Sequence, residues 1–408
     1  MMTLKKNRTK NLVMAPFLAA LLLALLPAVS NAIPAFARKY KFSCTTCHAP
    51  APRLKAYGED FAGNAFQLPD GEEPARAFHD TGDDLLTLQR DYPIAVRFDA
   101  YMQSTYNKDR GGMNDLKTPY GIKILSGGNI SSSIGYYFYF YMSEQGEVAG
   151  VEDAYVHFNN LFGTELDIMA GQFQVSDPLF KRELRLTYED YLIYKTRVGE
   201  SPTNLAYDRG LMFLYGLPTG TDIVLQIVNG NGIGEKGESG FFDADEWKNT
   251  FLRVSQQAGP VRLGGFGYLC NTRMSNSGNS EPEKLIDNRH YYWGVDGTVD
   301  FKDRVQLNAQ YLERYDENPD FLADKPADEI KTSGGFAELV WLVRGEMGRP
   351  FVTLLYNHME SDYEGLDHRS MTAGFSYLLR RNFRLLAEAT YEAEREDYGF
   401  TAGASTAF

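Results

Sequence analysis

Cysteine is scarce in this 408-residue chain: Cys44, Cys47 and Cys270 are the three. So few thiols exclude a disulfide-built scaffold. Cations are outnumbered, with 41 Lys and Arg against 54 Asp and Glu. The resulting formal charge of −13 excludes a protein that holds nucleic acid through phosphate contacts. Long apolar runs are also missing. Beyond residue 32 nothing approaches the ~18 consecutive apolar residues of a membrane helix, which excludes a helical membrane protein.

The one long apolar stretch, Leu12 to Val29, is broken by Pro16 and Pro27. Lys5, Lys6, Arg8 and Lys10 precede it, and Ser30-Asn31-Ala32 follow. A basic start, a short apolar core and a small-residue site read as an export signal over residues 1–32. Its removal deletes four cations and takes the formal charge from −13 to −17.

Twelve residues on stands Cys44-Thr45-Thr46-Cys47-His48. Cys-x-x-Cys-His is the attachment signature of haem c. One helical turn presents both sulfurs to one porphyrin edge, and the adjacent imidazole is the axial iron ligand. A zinc site lacks a second ligand pair, and a thioredoxin-type site lacks a βαβ pattern. The assigned cofactor is one covalent haem c on Cys44 and Cys47, with its iron bound by His48. Candidates for a second axial ligand are His79 and Met102. Arg38, Lys39 and Arg53 are candidate partners for the propionates, because guanidinium and ammonium match carboxylate charge. The segment 33–90 carries mixed helical character and loops but few apolar residues. It therefore needs the haem, and another surface, to complete its folding.

From Tyr92 the pattern changes to period two. Val305, Leu307, Ala309 and Tyr311 alternate with Gln306, Asn308 and Gln310, and similar runs recur to the C-terminus. Alternation over ~10 residues is the signal of a membrane-spanning strand. Sixteen strands are predicted, the first at 92–106 and the last at 399–408. Links at 127–129, 159–163, 217–220, 258–260, 300–303, 345–348 and 380–382 are short. Those at 107–117, 143–149, 175–205, 231–247, 272–288, 315–330 and 361–367 are longer. Short periplasmic turns alternating with long external loops mark outer-membrane barrels, as do 52 Tyr and Phe and 38 Gly. A β-sandwich explains neither feature. The expected fold is an all-β transmembrane barrel of about 16 antiparallel strands over 91–408, preceded by a small α/loop monohaem cytochrome c segment. The expected place is the outer membrane of a Gram-negative bacterium, with barrel lipid outside and the haem segment periplasmic or within the bore. Sixteen strands also predict an aqueous lumen.

Ile33-Pro34-Ala35-Phe36-Ala37-Arg38-Lys39-Tyr40, the Cys-x-x-Cys-His motif, Pro52-Arg53-Leu54 and Tyr57-Gly58-Glu59-Asp60-Phe61 together carry a likeness. The chain resembles the fused monohaem cytochrome c–porin family, best known for outer-membrane iron oxidases. The match covers about residues 33–70 and is architectural beyond them. The resemblance implies electron transfer across the outer membrane. An extracellular donor, Fe(II) for preference, would reduce the haem, and a periplasmic c-type cytochrome or other carrier would take the electron. With iron as donor the protein would be an iron oxidase. The alternatives are a diffusive porin with a haem-bearing plug, and electron export to an extracellular acceptor.

Other features are less directive. The link 175–205 opens with Asp177-Pro178, a helix N-terminus signal. It reads either as a plain external loop or as one folded inward to narrow the bore. Acidic loop residues, among them Asp243, Asp245, Glu246, Asp316, Glu317, Asp320, Glu360, Asp362 and Glu364, read as solvated surface or as a collector of divalent cations. Gly232-Ile233-Gly234-Glu235-Lys236-Gly237 precedes no helix and reads as loop rather than as a dinucleotide site.

Overall fold

A computed structural model describes residues 35–68, 78–79, 82, 88–90, 92–237, 240–243, 245–275, 285–302, 304–324 and 328–408. The export signal, residues 69–77 and most of 80–87 lie outside the described residues.

Three short helices open the described residues: α1 (Ala35–Tyr40), α2 (Cys44–Cys47) and α3 (Ala56–Gly63). A two-residue ladder then pairs Phe78–His79 with Leu88–Gln89. Sixteen strands follow. They are β1 (Ile94–Asn107), β2 (Gly111–Ser131), β3 (Ile134–Glu144) and β4 (Gly150–Leu161); β5 (Leu166–Gln174), β6 (Tyr207–Leu217), β7 (Thr221–Val228) and β8 (Asn249–Ala258); β9 (Val261–Ser275), β10 (Leu285–Phe301), β11 (Val305–Asp316) and β12 (Ile330–Leu342); and β13 (Pro350–Ser361), β14 (His368–Arg380), β15 (Phe383–Glu392) and β16 (Asp397–Ala407). Each pairs antiparallel with its sequence neighbour, and β16 pairs with β1 to close a barrel. Phe408 seals the seam by exchanging two backbone bonds with Val96, at 2.7 and 2.8 Å. Among the described residues no helix is long and apolar enough to cross a membrane.

Alternation of side chains sets the two faces. On β10, Asn288, His290, Tyr292, Asp296 and Thr298 are buried inward, while Tyr291, Trp293 and Val295 stand exposed outward. This is the polar-in, apolar-out order of a membrane barrel. The count of strands and the other short turns agree with the sequence pattern. The turn expected at 127–129 lies instead at 132–133, because Gly127, Gly128 and Asn129 pair with Tyr137, Tyr136 and Gly135 in the β2–β3 ladder. A long link differs as well. Residues 107–117, expected as a long loop, are mostly strand, because β1 and β2 run on as a hairpin joined at 108–110. Gly111 to Leu116 lack clean alternation, yet cross-strand backbone bonds hold them extended.

The link expected at 175–205 runs over 175–206. It takes the inward of its two expected paths and narrows the bore. Leu179, Tyr191, Ile193, Tyr194 and Leu205 are buried against barrel rings including Phe251, Tyr268, Tyr292 and Phe336. Tyr191 stacks on Phe336 at 4.1 Å between centroids, a contact worth about 0.5–1.5 kcal/mol beyond its burial. No α-helix follows Asp177-Pro178; the connection holds only two 3₁₀ turns, Arg182–Leu184 and Leu192–Tyr194. Contacts with the wall, rather than local capping, decide its path.

The helical segment seats in the end of the barrel that carries the short turns. Gln67 reaches the Ser131 carbonyl at 3.3 Å, Asn64 meets Asn159 at 2.5 Å, and Lys55 pairs with Glu346 at 3.2 Å. These partners lie on opposite arcs of the wall, so the segment plugs the mouth. Gly135 of β3 permits the fit, since a Cβ there would lie 2.5 Å from the Ala65 carbonyl oxygen. Gly135→Val should therefore unseat the segment at a cost of about 1–3 kcal/mol, while leaving the barrel closed. The expected result is unchanged heat-modifiable gel mobility with new proteolytic cuts within 35–68. Unaltered protection would show that the segment does not rest on β3.

Candidate functional site

Ser43 caps the turn that carries both cysteines, its side chain accepting from the Thr45 N–H at 3.4 Å. The chain then doubles back. Ala49 N–H donates to the Arg53 carbonyl at 3.2 Å, and Lys55 N–H donates to the Cys47 carbonyl at 2.9 Å. Gly58 packs so closely on the Cys47 carbonyl that no side chain fits there. The His48 ring is fixed by this loop: Nδ1–H donates to the Arg53 carbonyl at 3.2 Å. That bond selects the tautomer with a free lone pair on Nε2, the usual arrangement of a metal-binding imidazole. Burial pulls the His48 pKa down, against the hydrogen bonds to Arg53 and Pro52, so the ring is neutral. Burial raises both thiols, so Cys44 and Cys47 are not poised as thiolates.

Behind the motif, rings make a small core. Phe36 stacks on Phe66 at 4.9 Å, Tyr40 meets Phe61 edge-on at 5.4 Å, and Phe66 stacks on Tyr137 of β3 at 5.3 Å. The barrel thus supplies the second surface that the short segment needs. Between them lies a cavity of about 340 Å³, within the range of small-molecule and cofactor sites. Cys44, Cys47 and His48 line it from one side, with Phe36, Tyr40 and Phe61. Arg97, Lys123, Tyr139, Lys181, Arg381 and Arg384 line it from the barrel and the inward connection.

These residues fit a haem c. Cys44, Cys47 and His48 line one largely apolar cavity, and Arg97, Lys123, Lys181, Arg381 and Arg384 line it with them. Three of the cations are already matched: Arg97 with Asp99 at 3.0 Å, Lys123 with Glu183 at 2.9 Å, and Lys181 with Asp177 at 3.0 Å. Arg381 donates to the carbonyls of Met347 at 2.6 Å and Gly348 at 3.2 Å, and Arg384 donates to that of Leu186 at 2.9 Å. Neither arginine forms a salt bridge among the described residues, although Arg384 lies in the field of Asp99 and Glu388, so both can meet anionic groups in the cavity.

The cations named from sequence stand elsewhere. Arg38 is exposed, Lys39 bonds Asn129 of β2, and Arg53 pairs with Glu338 of β12 at 3.7 Å. None of the three lines the cavity. Met102 sits on the outward face of β1, since Tyr101 beside it takes the inward position. His79 is exposed in its two-residue ladder and is not a lining residue either. Arg381 and Arg384 were missed because each is more than 300 residues from the motif and no local pattern links them to it. Of the acidic loop residues, Asp316 is buried and bound to Arg314 at 2.6 Å, and Asp243 pairs with Lys248. Among the described residues no group of three or more His, Cys, Asp or Glu gathers to hold a metal ion.

Above the cavity the inward connection is held by charge. Asp190 takes Arg182 at 2.6 Å, Lys195 at 3.1 Å and Arg185 at 3.9 Å. Burial raises the Asp190 and Glu183 carboxyls, but the neighbouring cations win and hold both below their ordinary 3.8 and 4.5. For Asp190 these are chiefly Arg185 and Arg182, and for Glu183 they are Lys123 and Arg185.

No family model and no curated protein matches this sequence. Solved structures do match the fold. An anion-selective porin from Comamonas acidovorans superposes with a TM-score of 0.55 at 11% identity, over 78% of this chain and 99% of that one. This is the fold of the outer-membrane porins. The outer membrane channel DcaP of Acinetobacter baumannii gives 0.53 at 13% identity, over 78% and 97%. A loop-deletion mutant of OmpT from Vibrio cholerae gives 0.51 at 14% identity, over 78% and 99%.

The charge clamp makes a pH prediction. Both carboxyls are depressed in the folded state, so their contribution is complete above 4.5 and is lost as pH falls below 3.8 through the folded values. Single-molecule conductance in planar bilayers should be small at pH 7 and should rise below that window. Glu183→Gln with Asp190→Asn strands buried cations, at a cost of about 3–5 kcal/mol per broken pair. It should bring the high conductance to pH 7. A double variant that conducts like the parent would rule out the clamp.

Proposed function

We propose that this chain is an outer-membrane electron-transfer protein, one of the fused monohaem cytochrome c–porins that its N-terminal segment resembles. It passes one electron from an extracellular donor, ferrous iron for preference, to a periplasmic carrier. The observation that carries this reading is the cavity that Cys44, Cys47 and His48 line together, with the His48 ring oriented by its Nδ1 bond to the Arg53 carbonyl. Cys44 and Cys47 would hold the porphyrin edge, His48 the iron, and Arg381 and Arg384 the propionates. A haem c bound there supplies a one-electron iron couple.

The protein's own residues do the rest. The ring core of α1 and α3 gives the cavity an apolar wall through Phe36, Tyr40 and Phe61. The segment contacts β3 and the short turns, and short turns are periplasmic in outer-membrane barrels, which supports delivery of the electron to a periplasmic carrier. Ferrous iron gives up one electron and becomes ferric iron, with no bond made or broken and no proton acceptor needed. A diffusive porin with a haem-bearing plug is the second reading, and the porin fold favours it.

The test is a visible spectrum of the air-oxidised, detergent-purified full chain, before and after ferrous iron, with dithionite as reference. The expected outcome is a sharp c-type α-band on iron alone, and its loss from a Cys44→Ala, Cys47→Ala variant. A band that appears only with dithionite removes iron as the donor. Absence of covalent haem removes the reading altogether.

A further inference from the structure

Seven short turns ring the mouth that holds the segment, and their charge is uneven. The turns 132–133, 162–165, 218–220 and 259–260 carry no cation, and Glu165 is their one charged residue. The other three, at 302–304, 343–349 and 381–382, are neighbours. Leu342 N–H donates to the Arg304 carbonyl at 2.7 Å, and Leu378 N–H donates to that of Arg349 at 3.0 Å. With the adjoining end of β14 they bear Lys302, Arg304, Arg344, Arg349, Arg380 and Arg381. The first five are exposed. Glu346, the acid among the described residues of these turns, is taken by Lys55. In a chain of formal charge −13 this is a concentrated basic patch.

The patch adjoins the cavity. Arg381 lines the cavity while its guanidinium holds the carbonyls of Met347 and Gly348. Those two residues, with Arg344, Arg349, Pro350 and Tyr377, form a niche beside it. Met347 is 68% exposed in the middle of the arginines. An apolar centre inside a charged rim is the anatomy of a protein interface. Membrane headgroups would meet the whole circumference, and they give no reason for the cations of the seven turns to gather on the three next to the cavity.

We propose that this rim is the docking surface for a soluble, acidic electron-carrier protein. The proposal rests on the haem reading given above and names the charge of the partner and the residues that meet it. Such encounters are brief and small in area, and opposite charge steers them. Docking there brings the carrier to the edge of the cavity on the Cys44 side.

The test uses the full chain in detergent and the soluble domain of cytochrome b5 as the acidic probe, with horse heart cytochrome c as the basic control. Binding is read by calorimetry, and haem content by the spectrum of the same sample. Affinity for cytochrome b5 should fall steeply between about 20 and about 200 mM salt. The variant Arg304→Glu, Arg344→Glu, Arg349→Glu should bind it about tenfold more weakly at low salt, with its visible spectrum unchanged. The basic control should not bind the parent. Equal affinity in parent and variant, or affinity indifferent to salt, would overturn the proposal. So would a variant that keeps cytochrome b5 but no longer associates with phosphatidylglycerol vesicles, because the rim would then be a headgroup site. A haem-free sample that still binds cytochrome b5 in this salt-dependent way would sink the haem reading and leave the surface standing.

Discussion

Backbone polar groups cannot be left unpaired in hydrocarbon, and the rest of this structure depends on that constraint. Sixteen strands meet it by pairing in sequence order and closing β16 onto β1. Closure obliges every strand to turn one face outward and one inward. Outward positions become apolar and aromatic; inward positions are free to hold Asn288, Asp296, Arg314 or Glu338. A barrel of this size then encloses more space than its own side chains fill.

What fills that space separates this chain from a bare pore. Two pieces enter from opposite directions. The connection 175–206 presses Tyr191 and Tyr194 onto Phe336 and is clamped by Asp190 and Glu183. The segment 35–68 enters the short-turn mouth and stacks Phe66 on Tyr137. Neither piece is large enough to form a core alone. Each borrows the wall as its second layer, and the cavity beside Cys44, Cys47 and His48 is the gap left where the two pieces and the wall meet.

Much of this was legible in the chain. Period-two alternation reports the local pleat directly, so the strand number and the parity of short and long links could be read without tertiary information. The Cys-x-x-Cys-His spacing is equally local: one helical turn, capped by Ser43, brings the groups together. The failures share a cause. Residues 111–116 look like loop because their alternation is weak, yet the ladder with β1 keeps them extended. Arg38, Lys39 and Arg53 are near the motif in sequence, but Asn129 and Glu338 on the wall draw Lys39 and Arg53 away. Met102 is near the barrel's first strand, but pleat parity turns it outward.

The sequence by itself determined the strands, their number, the order of their links and the Cys-x-x-Cys-His motif. Each of these depends on neighbours within one turn or one pleat. Only the tertiary structure decided that the 175–206 connection takes its inward path, that the segment seats in one mouth, and that Arg381 and Arg384 line the cavity. Those outcomes depend on which distant surfaces meet when the barrel closes, and no local pattern encodes a distance across its diameter.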